Sequence, residues 1–191
     1  MHTIHHTDAV ILKSVHSGEA NMRLWLFTKE FGLVMAMVQG VRKTEAKLKG
    51  HISEYVFVRA DLVRGREVWR LVSVAEQWNP LSGNTRAPLA RAYVRTLSML
   101  TRFLVDEGVH DELFVHVEDI ARILKEGTLD ATVVDAWSLW KILALLGYIA
   151  PTLETFELLT LPVEIAVSRI DERLRGQLIE ASNAAITESH L

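Results

Sequence analysis

Apolar and polar positions alternate with a period of two through the first 80 residues, and they recur every three or four residues beyond Arg86. The first period is typical of strands with one buried face and the second of amphipathic helices. Breaks containing Gly or Ser divide the first region into short runs. This pattern predicts five strands: Ala9–Val15, Met22–Thr28, Leu33–Val38, Glu54–Leu62 and Glu67–Ala75.

Five short strands at this spacing predict a small closed barrel. A cluster of turn formers, Asn79 to Asn84, reads as a linker after the last strand. The sequence therefore predicts an α+β protein with two domains. Residues 1–80 form a five-stranded barrel and residues 81–191 form an all-α domain.

The second region predicts at least three helices. The first begins near Pro88 and carries a stripe of Leu and Tyr side chains. The next two cover Asp111–Lys125 and Asp130–Leu146, and the latter is apolar nearly all round, which predicts a central position. Segments Val163–Ala181 and Ala184–Leu191 supply one or two more.

Composition narrows the class of protein. Apolar residues make up 49% of the chain and charged residues 24%, which is typical of a folded globular protein. The absence of cysteine excludes disulfides and thiolate metal sites. No apolar stretch reaches the roughly 20 residues that a bilayer requires, so we expect a soluble, cytoplasmic protein. Nucleic-acid contact, for which the charge distribution argues, would make it nucleoid-associated.

Charge is distributed unevenly between the two regions. Residues 1–80 hold eleven Lys and Arg against eight Asp and Glu, whereas residues 81–191 hold ten against sixteen. A net charge of +3 in the first region and −6 in the second indicates nucleic-acid contact by the barrel.

The densest cluster of cations lies between Gly40 and Gly50. It comprises Arg42, Lys43, Lys47 and Lys49. Flexible cations of this kind neutralise backbone phosphates without reading base identity. The alternative is an ordinary solvated loop, because exposed clusters of Lys and Arg are common.

Further candidate cations lie on or beside the predicted strands. They are Lys13, Arg23, Arg64, Arg66 and Arg70. Strand alternation places Arg23, Trp25 and Phe27 on one face, where aromatic rings could stack unpaired bases. Alternatively, the two rings belong to the core, with Leu24 and Leu26 covered by helices.

In the first helix, Arg91, Arg95 and Arg102 share one face beside the apolar stripe. A cationic row bordering an apolar groove can bind an acidic, hydrophobic peptide tail. The alternative is a solvated helix face with internal ion pairs.

Signatures of catalysis and metal binding are missing from the sequence. It contains no glycine-rich phosphate loop, no G-x-S-x-G and no H-E-x-x-H. His2, His5 and His6 are close in sequence, but they lie at the terminus with only Asp8 as a nearby carboxylate. We therefore predict a non-enzymatic protein without metal or cofactor.

Four segments carry a resemblance to a known family: residues 8–14, 18–32, 39–43 and 145–151, the last reading Leu-Leu-Gly-Tyr-Ile-Ala-Pro. In this order they resemble the bacterial RecO recombination mediators. The resemblance implies an OB-fold barrel and a helical domain. It implies binding of single- and double-stranded DNA and annealing of strands coated with single-strand binding protein.

The resemblance also implies partners. Proteins of this family work with RecR to load RecA during gap repair and recognise the acidic C-terminal tail of single-strand binding protein, with RecF as a further candidate partner. Many members carry a four-cysteine zinc module after the position of Pro151, and this chain has no cysteine there. Two alternatives stay open: an OB-fold interaction scaffold without DNA affinity, and an RNA-binding module.

Overall fold

The computed structural model describes residues 3–17, 21–39, 52–66, 68–83, 85–105, 107–126 and 128–189. Strands precede helices in these ranges, which confirms the predicted α+β class. The strands are β1 (Ile4–Ser17), β2 (Asn21–Thr28), β3 (Gly32–Gln39), β4 (Phe57–Arg64) and β5 (Trp69–Trp78). The helices are α1 (Ala87–Phe103), α2 (Asp111–Glu126), α3 (Ala131–Leu145), α4 (Val163–Arg169) and α5 (Glu172–Glu188), with a 3-10 turn at Phe156–Leu159.

The five strands form a closed barrel in the order β1-β2-β3-β5-β4. Neighbouring strands are antiparallel, except that β3 and β5 run parallel, and β4 closes the ring by pairing with β1. This arrangement is that of a five-stranded OB-fold barrel, as predicted.

Alternate residues of each strand fill the barrel. Ile11, Leu24, Val34, Ala36 and Leu62 are fully buried in one apolar cluster. Because side chains alternate between faces, the neighbours of these residues point away from that core. The period-two pattern was therefore a correct guide to the inner face.

The segment between α1 and α2 belongs to the barrel. Contacts divide the chain into a barrel unit, residues 1–82 with 105–114, and a helical unit, residues 83–104 with 115–191. In the barrel unit the ring of Phe114 lies 5.4 Å from that of Phe27 and 6.4 Å from that of Phe57, centroid to centroid. The sequence predicts a single division near residue 80. No local pattern in it indicates that residues 105–114 return to the barrel unit.

In the helical unit, α3 is buried on almost every side. Its fully buried side chains include Trp137, Trp140 and Leu143, and the helix packs against α1 and α5. The all-round apolar pattern correctly predicted this central position. At its start, the Asp130 carboxylate accepts a hydrogen bond from the Thr132 amide at 2.8 Å.

The predicted helix over 163–181 is wrong at its middle. Ile170 is extended, and α5 starts anew after Asp171, whose carboxylate accepts from the Leu174 amide at 2.7 Å. The apolar period continues across this break, but the Asp171 cap favours a new helix. The sequence left open whether the segment from Ala184 forms a helix of its own, and its residues 184–188 are the last part of α5. Within the ranges that the structure describes, no helix is both long and apolar enough to span a membrane.

Candidate nucleic-acid interface and arginine cleft

The faces of β2 carry different kinds of side chain. Leu24 and Leu26 are fully buried in the barrel core, whereas Arg23 is exposed and Trp25 is half-buried on the other face. Phe27 lies further along that second face and is buried. One alternative had Leu24 and Leu26 covered by helices. They instead fill the barrel interior. Of the two aromatic rings, Trp25 alone stays partly accessible.

Cross-strand pairing extends this accessible face over four strands. Arg23 pairs with Val15 of β1 and with Met37 of β3, and Met37 pairs with Arg70 of β5. Paired residues of neighbouring strands point to the same face, with Cβ atoms about 5 Å apart. Arg23 and Arg70 therefore lie on one surface, separated by a methionine.

A second row runs beside the first. Trp25 pairs with Lys13 of β1 and with Met35 of β3. The Lys13 Nζ atom lies 5.4 Å from the centroid of the Trp25 ring, a cation–π contact. We define the outer-face patch as Lys13, Arg23, Trp25, Met35, Met37 and Arg70.

The three cations of the outer-face patch are exposed. Within the described ranges, none of them forms an ion pair. Unpaired cations are available to phosphates, and the half-buried methionines and Trp25 between them offer apolar contact to sugars and bases. The geometry unites three of the predicted DNA-binding residues, Lys13, Arg23 and Arg70.

Arg64 and Arg66 lie apart from that patch, in the hairpin between β4 and β5. Gly65 donates its amide hydrogen to the Val68 carbonyl at 3.0 Å, which makes the turn tight and leaves Arg66 exposed. Arg64 pairs with Trp69 in the strand register, and its guanidinium carbon lies 5.4 Å from the centroid of the Trp69 ring.

A carboxylate that the sequence reading missed contacts Arg64. The Arg64 Nη2 atom donates to Glu107 Oε2 at 3.2 Å, and the Trp69 indole Nε1 donates to Glu107 Oε1 at 3.1 Å. Glu107 lies 43 positions beyond Arg64. No local signal in the sequence connects the two residues.

Arg59, also on the barrel surface, is held by an acidic residue. Its Nε and Nη2 atoms both donate to Asp8 Oδ1, at 3.1 and 3.0 Å. Ion pairing therefore divides the barrel cations into engaged and available groups. The predicted loop residues Arg42, Lys43, Lys47 and Lys49 lie outside the described residues, and their role stays a prediction.

The helical unit contains a cleft of about 590 Å³ between α1, α3 and α5. Arg91, Arg95 and Arg175 line it together with Asp135 and the apolar Leu139. We call this cavity the arginine cleft. Sequence spacing predicted the first two arginines, whereas Arg175 comes from a helix 80 positions further along.

Acidic residues engage two of the three arginines. Arg95 Nη1 donates to Asp135 Oδ2 at 2.7 Å, and Arg175 pairs with Glu172 one helical turn earlier. Burial raises the pKa of Asp135, and the ion pair with Arg95 opposes that rise. Arg91 is exposed and has no ion pair within the described ranges.

Arg102, the third predicted tail-binding residue, does not line the arginine cleft. Its guanidinium carbon lies 5.6 Å from the centroid of the Phe103 ring. Arg102 belongs to the same helix as Arg91 and Arg95, but the cavity opens beside the N-terminal half of α1 and does not extend to residue 102.

A buried polar chain crosses the helical unit. The His116 Nε2 atom lies 2.9 Å from Ser138 Oγ, which accepts a hydrogen bond from Thr96 at 3.1 Å. Burial first, and then the charge of Lys141, lowers the pKa of His116 to about 3. The imidazole is therefore neutral at physiological pH, and this chain is a structural feature of the core.

Barrel topology and surface chemistry together define an OB-fold protein with a cationic outer face, joined in sequence to a helical unit. Residues 1–77 match the family model described as "Recombination protein O N terminal". Matches to whole proteins extend beyond the barrel. The chain belongs to the RecO family.

Relatives of known name support this assignment. The "DNA repair protein RecO" of Pelotomaculum thermopropionicum is 31% identical over 152 residues, which is 79% of this chain and 58% of that protein. The protein of the same name from Synechococcus elongatus is 31% identical over 149 residues, or 76% of this chain and 55% of that protein. The chain thus spans little more than half the length of these relatives.

Proposed function

We propose that this chain acts in DNA repair by binding the backbone of single- and double-stranded DNA through the outer-face patch and the basic loop at residues 42–49. The observation that carries the proposal is the juxtaposition of Lys13, Arg23 and Arg70, exposed and unpaired within the described ranges, around Trp25. The names of the relatives agree with a role in DNA repair.

Annealing of complementary strands follows from such a surface. Cations that neutralise phosphates on two strands reduce mutual repulsion and raise the local strand concentration. No covalent bond changes in this process, so we propose that it is non-enzymatic and needs no nucleotide cofactor. Bases stay free to pair, provided that the contacts are mainly to the backbone.

The test is DNA binding measured by fluorescence anisotropy over a range of salt concentrations. We expect the double variant Arg23→Ala with Arg70→Ala to reduce the salt slope for single strands by about 1.4, because each neutralised phosphate contributes roughly 0.7 to that slope. The matched control replaces Arg122 and Arg173, which are exposed but paired with Asp119 and Glu154. Equal slopes for the two double variants would contradict the proposal.

The basic loop has its own variant. Replacing Arg42, Lys43, Lys47 and Lys49 together with alanine is expected to flatten the salt slope further, and an unchanged slope would remove the loop from the interface. Competition with an RNA oligonucleotide of matched sequence separates DNA binding from the RNA alternative. A chain that binds neither polymer would be the interaction scaffold.

The arginine cleft supports a second binding function in the same protein. We propose that it takes the acidic C-terminal tail of single-strand binding protein, because cationic and apolar side chains line one cavity of suitable size. A labelled tail peptide should bind the wild-type chain more tightly than an Arg91→Ala variant. The matched control is Arg169→Ala, which removes a paired arginine outside the cleft.

Together these sites support a recombination mediator. We propose RecR as its partner, and RecA or RecF as further partners, on the family resemblance. The experiment that joins both sites is annealing of complementary oligonucleotides coated with single-strand binding protein. The wild-type chain should accelerate annealing. The double variant Arg23→Ala with Arg70→Ala and the single variant Arg91→Ala should each accelerate it less.

A further inference from the structure

We propose that Glu107 is an internal competitor of phosphate, which occupies Arg64 until nucleic acid displaces it. This inference rests on the proposed function, since it concerns how DNA reaches one barrel cation. It is based on the mutual contacts of three side chains, those of Arg64, Trp69 and Glu107. The carboxylate contacts both the guanidinium and the indole, and the guanidinium lies over the indole ring.

The position of this carboxylate is set by the backbone of its own segment. Gly32 has φ +65°, and a Cβ atom built on it would lie 2.0 Å from the carbonyl oxygen of Gly108. The segment therefore lies directly against the β2–β3 turn, with Glu107 next to the contact. This close approach of the two backbones positions Glu107 beside Arg64.

The two carboxylate oxygens of Glu107 accept hydrogen bonds from different side chains. Trp69 is 3% exposed, and its ring nitrogen uses Oε1 as its acceptor. Oε2 accepts from Arg64, whose side chain is 67% exposed and donates no second hydrogen bond to any residue that the structure describes. A pair as exposed as this is weak, so a phosphate can compete for the guanidinium.

The aromatic surroundings favour retention of Arg64 at this site when the carboxylate leaves. Trp69 is packed edge-on by His5 and contacts Phe31 at 5.3 Å between centroids. The ring beneath the guanidinium is thus packed against two further rings. Arg64 would then bind phosphate from the position that the structure shows, and a phosphate oxygen would take the place of the carboxylate oxygen.

Glu107→Gln tests the competition. Its amide oxygen can still accept from the Trp69 indole, while the negative charge is removed. We expect DNA affinity at low salt to rise about two- to fivefold, the range that an exposed ion pair accounts for, and the salt slope to rise by up to about 0.9 for duplex. The matched control is Glu112→Gln, an exposed carboxylate of the same segment for which the described residues provide no ion pair.

Three outcomes overturn the inference while the wild-type chain still binds DNA. In the first, Glu112→Gln tightens binding as much as Glu107→Gln. In the second, the gain persists when Arg64→Gln is also present. In the third, the indole nitrogen resonance of Trp69, assigned by its loss in Trp69→Phe, does not move when DNA is added to the wild-type chain. If the wild-type chain binds no DNA, it is the proposed function that fails.

Discussion

The contact between Gly32 and Gly108 allows one stability prediction to be worked out in detail. Gly32 has a left-handed backbone at φ +65°, in the turn where Thr28 Oγ1 donates to the Gly32 carbonyl at 2.9 Å. Gly32→Ala therefore meets two penalties. One is the left-handed conformation, and the other is the Cβ at 2.0 Å from the Gly108 oxygen.

The two penalties have different sizes. The left-handed conformation costs an alanine about 1–2 kcal/mol, partly offset by about 0.4–1 kcal/mol from the stiffer unfolded chain. A Cβ at such a distance forces the backbone apart, and overpacking of this kind costs about 1–3 kcal/mol more. We expect a total destabilisation of about 3 kcal/mol.

Gly147 provides the matched control. Its φ is +82°, but a Cβ there would have nothing within 4 Å. Gly147→Ala should therefore cost only the conformational penalty, about 1 kcal/mol. The assay is urea unfolding followed by tryptophan fluorescence, with midpoint and slope fitted for each variant. If the two variants lose equal stability, the segment around Gly108 does not rest on the barrel as described.

Further predictions concern the helical unit. Asp171→Ala removes the N-cap of α5 and should lower the unfolding free energy by about 1 kcal/mol, measured by urea denaturation. In the folded chain the pKa of His116 is about 3, below its ordinary value of 6.5. As the pH falls, His116 therefore takes up a proton in the unfolded chain before it does so in the folded chain, and the unfolding free energy should decrease from about pH 6.5 towards pH 3. The loss at pH 5 relative to pH 8 is about 2 kcal/mol. Unfolding curves of wild type and His116→Gln over that range check it, because the variant should lack this component. In the arginine cleft, Arg91→Ala should weaken binding of an acidic tail peptide several-fold more than Arg102→Ala, since of these two residues Arg91 lines the cavity and Arg102 does not. Calorimetry that ranks the two variants in reverse would contradict the placement.

The strands were predictable because their inner residues follow a local rule. The alternation around Leu24 and Leu26 is enough to predict a buried face of the strand. The apolar residues on nearly every side of α3 likewise predict its central position. The parallel pairing of β3 with β5 joins Met37 to Arg70 across 33 positions, and no local pattern encodes such a partnership.

The candidate sites were predictable only in part, for a similar reason. Residue type and spacing identified the cations, but their availability depends on carboxylates that are distant in sequence. Asp8 engages Arg59 across 51 positions and Glu107 engages Arg64 across 43. Likewise, Arg175 joins Arg91 in the cleft because three helices meet there. Charge counting therefore overestimates the free positive surface of the barrel.

The barrel has one seam that is shorter than its others. Among the residues that the structure describes, β3 meets β5 through two residue pairs, Ala36 with Trp69 and Met37 with Arg70. Arg23 and Arg70 lie on opposite sides of this seam, so a polyanion bound to both would connect the two sides. A bound polyanion would then oppose separation of β3 from β5, and slower amide exchange of Met37 would report binding without any label on the ligand.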